Sequence, residues 1–298
     1  MADMTVSHTD LPKASVKVKK QSRFFAVIKR MMKSPSAAVG TILFTIILLC
    51  AVFGDIIAPY DYNQITMDGF QSPSWQHWFG TDPMGRDLLS RMLVGAKWSL
   101  LIGIGSEAIS LGGGLIVGSM AGYFGQRVDN IIMRICDVIQ AIPGMVLNIA
   151  LASILGFGIG PCILALGLGH VAGSSRMVRA NILKIRKSEF IDAAKSTNCK
   201  TPRIIIRHVI PNIISPMIVS ATMGMAGSLM SASSLSYLGL GVQPPTPEWG
   251  ALLTAGKQYL TNFPYMCLFP GLIIALTVLS LNLMGDGLRD ALDPKLKK

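Results

Sequence analysis

The chain has 298 residues, of which 51% are hydrophobic and only 14% are charged, and its mean hydropathy is +0.50. Soluble globular proteins carry about 25% charged residues, so this composition excludes an ordinary soluble domain. The formal net charge of +11 follows membrane topology, as described below, and therefore gives no support for nucleic-acid binding.

Six continuous apolar runs carry most of the hydrophobic residues. Each run is long enough for the roughly 20 residues that a helix needs to cross a bilayer, and none shows the alternating pattern of membrane β-barrel strands. The sequence therefore predicts an all-α polytopic membrane protein with six transmembrane helices. The runs cover approximately residues 37–58, 99–123, 131–155, 160–180, 212–232 and 268–288.

These runs predict five successive parts of the chain. We interpret the first apolar run as a retained anchor, because a long basic tail precedes it and no convincing small-residue cleavage site follows. The parts are a basic N-terminal tail (1–36), a first transmembrane helix (37–58), an extracytoplasmic loop (59–97), the main membrane domain (98–287) and a C-terminal tail (288–298).

The 27 lysine and arginine residues are distributed unevenly. Eight lie in the N-terminal tail, two near the start of the third run, nine between the end of the fourth run and residue 207, and four in the C-terminal tail. Basic residues concentrate on the cytoplasmic side of membrane proteins. The pattern predicts that both termini and the segment after the fourth run are cytoplasmic. The remaining four are Arg86, Arg91, Lys97 and Lys257.

A polar segment, residues 188–212, separates the fourth run from the fifth. Glu189 and Asp192 are expected near a helix start, where acidic groups complement the helix dipole. Two small alanines follow Asp192 and leave a flat surface. Asn198 is suited to a turn with positive φ, and Pro211 is expected to break the helix. This pattern predicts a short amphipathic element at the membrane surface.

The same segment resembles the coupling loop of ABC-importer permeases. The family reads Glu-Ala-Ala, a glycine and a distal Leu-Pro, and here Asp192-Ala193-Ala194, Asn198 and Ile210-Pro211 stand at those places. The resemblance implies that this loop receives force from an ATPase. Two departures, Asp192 for glutamate and Asn198 for glycine, are chemically mild.

Three further strings resemble the dipeptide, oligopeptide and nickel branch of these permeases. They are GTDPMGRDLLSR from Gly80, LGLGVQPPTPEWG from Leu238 and NLMGDGLRDALDP from Asn282. Four motifs in the same order identify the chain as a member of that branch, similar to its C-type subunit. The resemblance implies the type I ABC importer permease fold, with residues 98–287 as the permease domain.

The resemblance also implies partners and a location. We expect a second, B-type permease, two ATP-binding subunits and an extracytoplasmic solute-binding protein, assembled in the lipid bilayer of the bacterial cytoplasmic (inner) membrane. No GxxxxGK[ST] phosphate loop occurs in the chain, so ATP hydrolysis is expected on separate subunits. We expect no enzyme activity, cofactor, resident metal or nucleic-acid partner. Short peptides are the expected substrate, and nickel or a metal chelate is the alternative, since His170 is a possible ligand.

Ionisable residues inside apolar runs are functional candidates. Glu107, Asp137 and His170 are the candidate pathway or gate residues. Asp137 is expected to form a structural pair with Arg134 or to act in a gate. For Glu107 and His170, a pore-facing role and a satisfied interhelical hydrogen bond both remain open. A secondary transporter, which would show repeats with broken helices, and a membrane enzyme, which would need an activated nucleophile or an aspartate pair, are the competing classes.

Three local features lead to further expectations. In the GTDPMGRD string, Thr81 or Asp82 can cap a helix that starts near Pro83, with Asp87 and Arg91 paired one turn apart. Five cysteines without a CxxC spacing are expected to be core residues. Small residues spaced by four allow close helix contact, within the subunit or at the seam with a partner permease; they are Gly114, Gly118 and Gly122, and Gly169 and Gly173.

Overall fold

The computed structural model describes residues 23–292, and in that range the chain is predominantly helical. An isolated bridge between Thr81 and Asp87 is the one β-feature of the described residues. Residues 1–22 of the predicted N-terminal tail and 293–298 of the C-terminal tail lie outside the described range. The α-helices are α1 (Arg23–Met31), α2 (Pro35–Ile57), α3 (Leu88–Phe124), α4 (Gln126–Ala141), α5 (Gly144–Leu155), α6 (Ile159–Ile185), α7 (Glu189–Ser196), α8 (Thr201–Ile204), α9 (Ile210–Tyr237), α10 (Trp249–Gly256) and α11 (Tyr265–Leu292).

All six predicted apolar runs are helical, but fewer than six helices are long and apolar enough to cross a membrane. Of the described residues, four helices meet this test, and the bent pair α4–α5 makes a fifth if it counts as one span. Helix α6 falls short because His170, Arg176 and several glycines and serines interrupt its apolar stretch. The predicted number of six is therefore approximate. The four helices are Pro35–Ile57, Leu88–Phe124, Thr201–Tyr237 and Tyr265–Leu292.

The third predicted span is not one continuous helix. Helices α4 and α5 meet at an angle of 90°. Pro143 disfavours the helical conformation of the residue before it, and Ile142 is extended, with φ −78° and ψ 128°. The proline that the sequence shows inside this run therefore divides it into two helices.

Helix α3 starts before the second apolar run, inside the predicted loop 59–97. Its N-cap is Asp87, whose carboxylate accepts hydrogen bonds from the backbone N–H (2.8 Å) and hydroxyl (2.7 Å) of Ser90. The prediction of a helix starting near Pro83, with a cap at Thr81 or Asp82, is wrong by five residues. Asp87 caps the helix instead, because its side chain satisfies the free backbone N–H of Ser90.

Asp87 and Arg91 do not form the predicted ion pair. The Asp87 carboxylate is engaged by the cap and by the ring nitrogen Nδ1 of His77, at 2.8 Å. The Arg91 guanidinium instead donates to the carbonyls of Tyr62 (3.3 Å) and Pro245 (3.4 Å). Arg91 thus ties the start of α3 to two stretches that are distant in sequence.

The first glycine ridge is a helix contact within the subunit. At Gly114, Gly118 and Gly122 of α3, an added Cβ would collide with α6. The absence of side chains lets the two helices approach closely, which drives packing in a lipid environment. The second ridge is not continuous, because Gly173 faces open space.

Two stretches, the irregular residues 59–87 and residues 238–264 with the short helix α10, pack on each other at one end of the long helices, and we call them the cap. The hydroxyl of Tyr265, directly after the second stretch, donates to the carbonyl of Thr81 at 3.0 Å. Stacked aromatic rings also join the two stretches of the cap to each other, with a centroid distance of 4.5 Å for Phe70–Phe263. Another stacked pair, Phe79–Phe269 at 4.1 Å, joins the cap to α11.

Glu248 is the buried polar centre of the cap, with only 2% of its surface exposed. It caps α10 by accepting from the N–H groups of Gly250 (2.8 Å) and Ala251 (2.9 Å). It also accepts from the hydroxyls of Ser99 (3.2 Å) and Ser236 (3.0 Å). One carboxylate therefore connects α3, α9 and α10.

The five cysteines are all free thiols. Cys136 and Cys162 are buried, and Cys50, Cys199 and Cys267 are partly buried. Cys136 and Cys162 are therefore the two that lie in the core, as predicted, whereas the other three are only partly buried.

Candidate functional site

At the end of the molecule opposite the cap, the predicted coupling segment forms α7, which presents one face outward. Glu189, Asp192 and Ala193 are exposed, whereas Ile191 and Ala194 are buried. The expectation that Ala193 and Ala194 both lie on the outer surface is therefore wrong for Ala194. Ala194 lies one residue further around the helix and faces the body of the protein, so Ala193 alone flattens the outer face.

Asn198 has a φ of +54°, as expected for the residue at the family's glycine position. It follows the end of α7, where its N–H donates to the carbonyl of Lys195 (2.9 Å) and the Cys199 N–H donates to the carbonyl of Ala194 (3.2 Å). These two bonds are the Schellman pattern, which requires a left-handed residue. Asparagine tolerates this conformation, so the turn keeps the form that glycine would allow.

Pro211 does not break the helix, contrary to the prediction. Helix α8, a π-helical turn at Ile205–Val209 and α9 run on without interruption through this residue. A π-helical turn is wider than an α-helical one. This turn ends at Val209, two residues before Pro211, which lacks an N–H group and crowds the turn that precedes it. The Asn212 side chain also donates to the carbonyl of His208 at 2.6 Å.

A compact apolar cluster fixes α7 to the long helices. Ile191 and Ala194 of α7 pack with residues of α6, α8 and α9. The inner face of α7 is therefore close-packed against these helices. The buried members of the cluster from the other elements are Val178, Ile182, Ile204, Val209, Ile213 and Met217.

A second site lies midway along the helices, in an open cleft between α3, α6 and α9 with a volume of about 340 Å³, which we call the central cleft. Its wall on α9 consists of small residues spaced by four, three and four positions. The lining residues are Glu107 and Ser110 of α3, His170, Gly173, Ser174 and Met177 of α6, and Ser220, Gly224, Gly227 and Ser231 of α9.

Glu107 lies at the middle of α3 and is 8% exposed. No hydrogen bond or ion pair joins its carboxylate to another described residue. The carboxylate lies against the backbone of Gly224, where any Cβ would collide with it. Glycine on α9 therefore makes room for the acidic group, and the satisfied interhelical hydrogen bond considered for Glu107 is absent from the described residues.

His170 connects the central cleft to a second cavity of about 220 Å³, which we call the side pocket. Asn148 of α5 lines this pocket, is 4% exposed, and has no hydrogen-bond partner for its Oδ1 atom. That atom lies where a side chain on residue 169 would stand, so Gly169 leaves room for it. Glu107, His170 and Asn148 are thus polar side chains in the walls of two adjoining cavities.

Asp137 lies outside both cavities. Its carboxylate accepts from the Arg176 guanidinium at 2.6 Å, with both side chains about half exposed. The expected pairing with Arg134 is wrong, because Arg176 on the adjacent α6 reaches the carboxylate instead. A parallel pair, Arg179 with Asp129, links the same two helices through two bonds of 2.5 Å.

The sequence reasoning missed Asn148, the Asp129–Arg179 pair and the small face of α9. Asn148 interrupts an apolar run, and that interruption was a usable signal. The serine and glycine spacing of α9 was equally visible, at positions Ser220, Gly224, Gly227 and Ser231. Which helices these residues face depends on packing and could not be obtained from spacing.

The described residues contain no group of three or more His, Cys, Asp or Glu side chains arranged to hold a metal ion. His170 and Glu107 line the same cleft but form no such group with a third described side chain.

Comparison with known proteins gives two family matches. The profile for the binding-protein-dependent transport system inner membrane component matches residues 114–298. The profile for the N-terminal TM domain of oligopeptide transport permease C matches residues 22–73.

Two relatives match over almost the whole chain. The dipeptide transport system permease protein DppC of Alkalihalophilus pseudofirmus is 41% identical over 270 residues, which cover 90% of this chain and 89% of the relative. The glutathione transport system permease protein GsiD of Escherichia coli is 43% identical over 271 residues, with the same coverage.

Among solved structures, a chain of the MetNI methionine ABC transporter in an inward-facing conformation shares the fold. The match has a TM-score of 0.56 at 17% sequence identity and covers 68% of this chain and 97% of the other. At this identity the match concerns the fold alone.

Proposed function

The chain belongs to the binding-protein-dependent transport permeases, in the branch of C-type permeases of peptide ABC importers, and from this premise we propose that it carries short peptides across the inner membrane. The observation that supports this substrate is the 41% and 43% identity, over 90% of the chain, to permeases named for dipeptides and glutathione. Both of those substrates are short peptides.

The proposed assembly contains this chain, a B-type permease, two ATP-binding subunits and an extracytoplasmic solute-binding protein. The family description itself names a dependence on binding proteins. ATP hydrolysis then takes place on separate subunits, and this chain supplies half of the transmembrane path.

In this assembly, α7 is the contact with an ATP-binding subunit. Its outward face is acidic and flat at Glu189, Asp192 and Ala193, and its inward face is packed on α6 and α9. Closure of the ATPases on ATP pushes α7, and the packed cluster passes the movement to the helices that line the central cleft.

The proposed orientation places α7 in the cytoplasm and the cap outside, with both termini cytoplasmic. The distribution of basic residues along the sequence supports it, since 23 of 27 fall in segments that the sequence predicts to be cytoplasmic. The cap then faces the solute-binding protein, and α7 faces the ATPases.

Substrate class can be tested on the solute-binding protein encoded with this chain. We expect micromolar or tighter binding of di- and tripeptides by calorimetry, and weak binding of nickel and nickel chelates. Tight metal binding without peptide binding would replace the peptide proposal with the nickel alternative.

The role of α7 can be tested with Ala193→Arg. A long cation on the outer face should prevent docking and abolish peptide uptake, while membrane insertion and complex purification of the permease pair remain normal. Ala194→Arg is the matched comparison and should reduce the amount of folded protein, because that position is buried. Normal uptake by the Ala193 variant would show that α7 is not the contact.

Orientation can be tested in a variant without native cysteines. A cysteine at exposed Gln243 should react with an impermeant thiol reagent added to spheroplasts, whereas a cysteine at exposed Lys187 should react only after permeabilisation. Labelling with the opposite pattern would invert the proposed topology.

A further inference from the structure

The central cleft contains a buried acid without a partner. Glu107 is 8% exposed, faces a volume of about 340 Å³ and has no cation among the described residues that line the cleft, apart from the ring of His170. An unpaired buried carboxylate is costly to keep, and such groups in transmembrane helices mark binding sites and pathways. The carboxylate of Glu107 therefore favours a positively charged ligand that enters the cleft.

The neighbouring polar atoms favour a ligand with N–H groups. In the central cleft, the hydroxyls of Ser110 and Ser174 are joined at 2.6 Å and retain free lone pairs. A carboxylate and hydroxyl oxygens together accept from an ammonium group.

The size of the site favours an organic cation. Gly224 and Gly227 remove side chains from the α9 wall, and the cleft and side pocket have volumes of about 340 and 220 Å³. An amino-acid residue fits in such a volume. A bare metal ion would leave most of it unfilled, and the described residues do not form a multidentate ligand set.

We propose that the central cleft binds the α-ammonium group of a peptide in transit, with Glu107 as its counter-ion. This inference rests on the proposed peptide substrate. It adds which chemical group of the peptide is bound and where in the protein it binds. The cleft is open toward the exposed side of α9 at Gly227, so a substrate can enter without separation of α3 from α6.

The test uses the complete transporter reconstituted in liposomes, with trialanine and N-acetyl-trialanine as substrates. Rates are compared at concentrations that saturate the binding protein for each peptide, so that the preference of the binding protein does not enter. Glu107→Gln should lower trialanine uptake about tenfold or more, because a charged hydrogen bond is lost. It should leave uptake of N-acetyl-trialanine, which lacks the ammonium group, unchanged, so trialanine uptake should fall toward the N-acetyl-trialanine rate.

Conservative and control variants separate charge from structure. Glu107→Asp keeps the charge and should retain a preference for trialanine. Ser106→Ala is the neighbouring control and should act like the wild type, because that hydroxyl bonds to the carbonyl of Ile102 in its own helix. Peptide-stimulated ATPase activity reports whether each variant still couples.

Three results would overturn the inference. Uptake of trialanine by Glu107→Gln within twofold of the wild type would show that the carboxylate binds no ammonium. An equal loss for both peptides, together with a loss of stimulated ATPase activity, would show that Glu107 has a structural role. If the wild-type transporter takes up neither peptide, the proposed function itself fails, and this inference fails with it.

Discussion

The cap and the central cleft both bury acidic side chains, but they treat them in opposite ways. Glu248 in the cap receives four hydrogen bonds, from two backbone N–H groups and two serine hydroxyls. Glu107 in the cleft receives none from the described residues. A buried carboxylate with a full set of donors stabilises a fold, whereas one that faces a cavity without donors is available to a ligand.

The same contrast holds for the neighbouring polar groups. Asp87 in the cap is shared between Ser90 and His77, whereas Asn148 Oδ1 near the cleft has no donor. The difference suggests that the cap is the rigid part of the subunit and that the cleft is its adaptable part. Five substitutions test that division, in order of expected effect on stability.

The largest effect is expected for Glu248→Ala. It removes the side-chain N-cap of helix α10 and leaves four hydrogen-bond donors without an acceptor. The free energy of unfolding should therefore fall by roughly 3 kcal/mol. Thermal unfolding of the purified complex in detergent measures the change. Glu189→Ala, an exposed acid at the start of α7, is the control and should change stability little. A loss below 1 kcal/mol for Glu248→Ala would contradict the role given to the cap.

The second effect is expected for Asp87→Ala, which removes the N-cap of α3 and the partner of His77. Roughly 2 kcal/mol of stability should be lost. Asp68→Ala is the matched control, because Asp68 is an exposed aspartate in the same stretch, and it should stay within about 0.5 kcal/mol of the wild type. Equal melting temperatures for the two variants would show that Asp87 does not anchor the helix.

The third effect compares the two ion pairs between α4 and α6. Asp129→Asn should cost about 1 kcal/mol, because Asp129 is buried and Arg179 contacts it through two nitrogens. Asp137→Asn should cost about 0.3 kcal/mol, since its pair is half exposed and screened by solvent. Raising the salt concentration should erase the effect at Asp137 first. The opposite ranking would indicate that Asp137 has a role beyond a surface pair.

The smallest effect on stability is expected for Glu107→Gln. The substitution keeps the shape of the side chain and breaks no hydrogen bond to a described residue, so the free energy of unfolding should change by less than about 0.5 kcal/mol. The same variant should show the loss of trialanine uptake described above. A fall in stability as large as that of Glu248→Ala would mean that the two acids are equivalent and would remove the distinction between cap and cleft.

Local sequence features allowed much of the helical architecture to be predicted. The six apolar runs correspond to helices, the positive φ of Asn198 was expected from its place in the motif, and the polar segment 188–212 has the expected amphipathic α7. These features depend on residues near each other in the chain, where periodicity, proline and caps act. Even so, the local signals at Pro83 and Pro211 were misleading, since a later aspartate caps α3 and a π-helical turn accommodates Pro211.

Only the tertiary structure decided which polar groups are satisfied. Glu248 and Ser99 are 149 positions apart, and Asp137 and Arg176 are 39 apart, so no local pattern announces either contact. The sequence by itself identified Glu107 and His170 as ionisable groups within apolar runs. The packing of α3, α6 and α9 placed them on one cleft and left Asp137 at the surface, because burial and hydrogen bonding depend on which helix faces which.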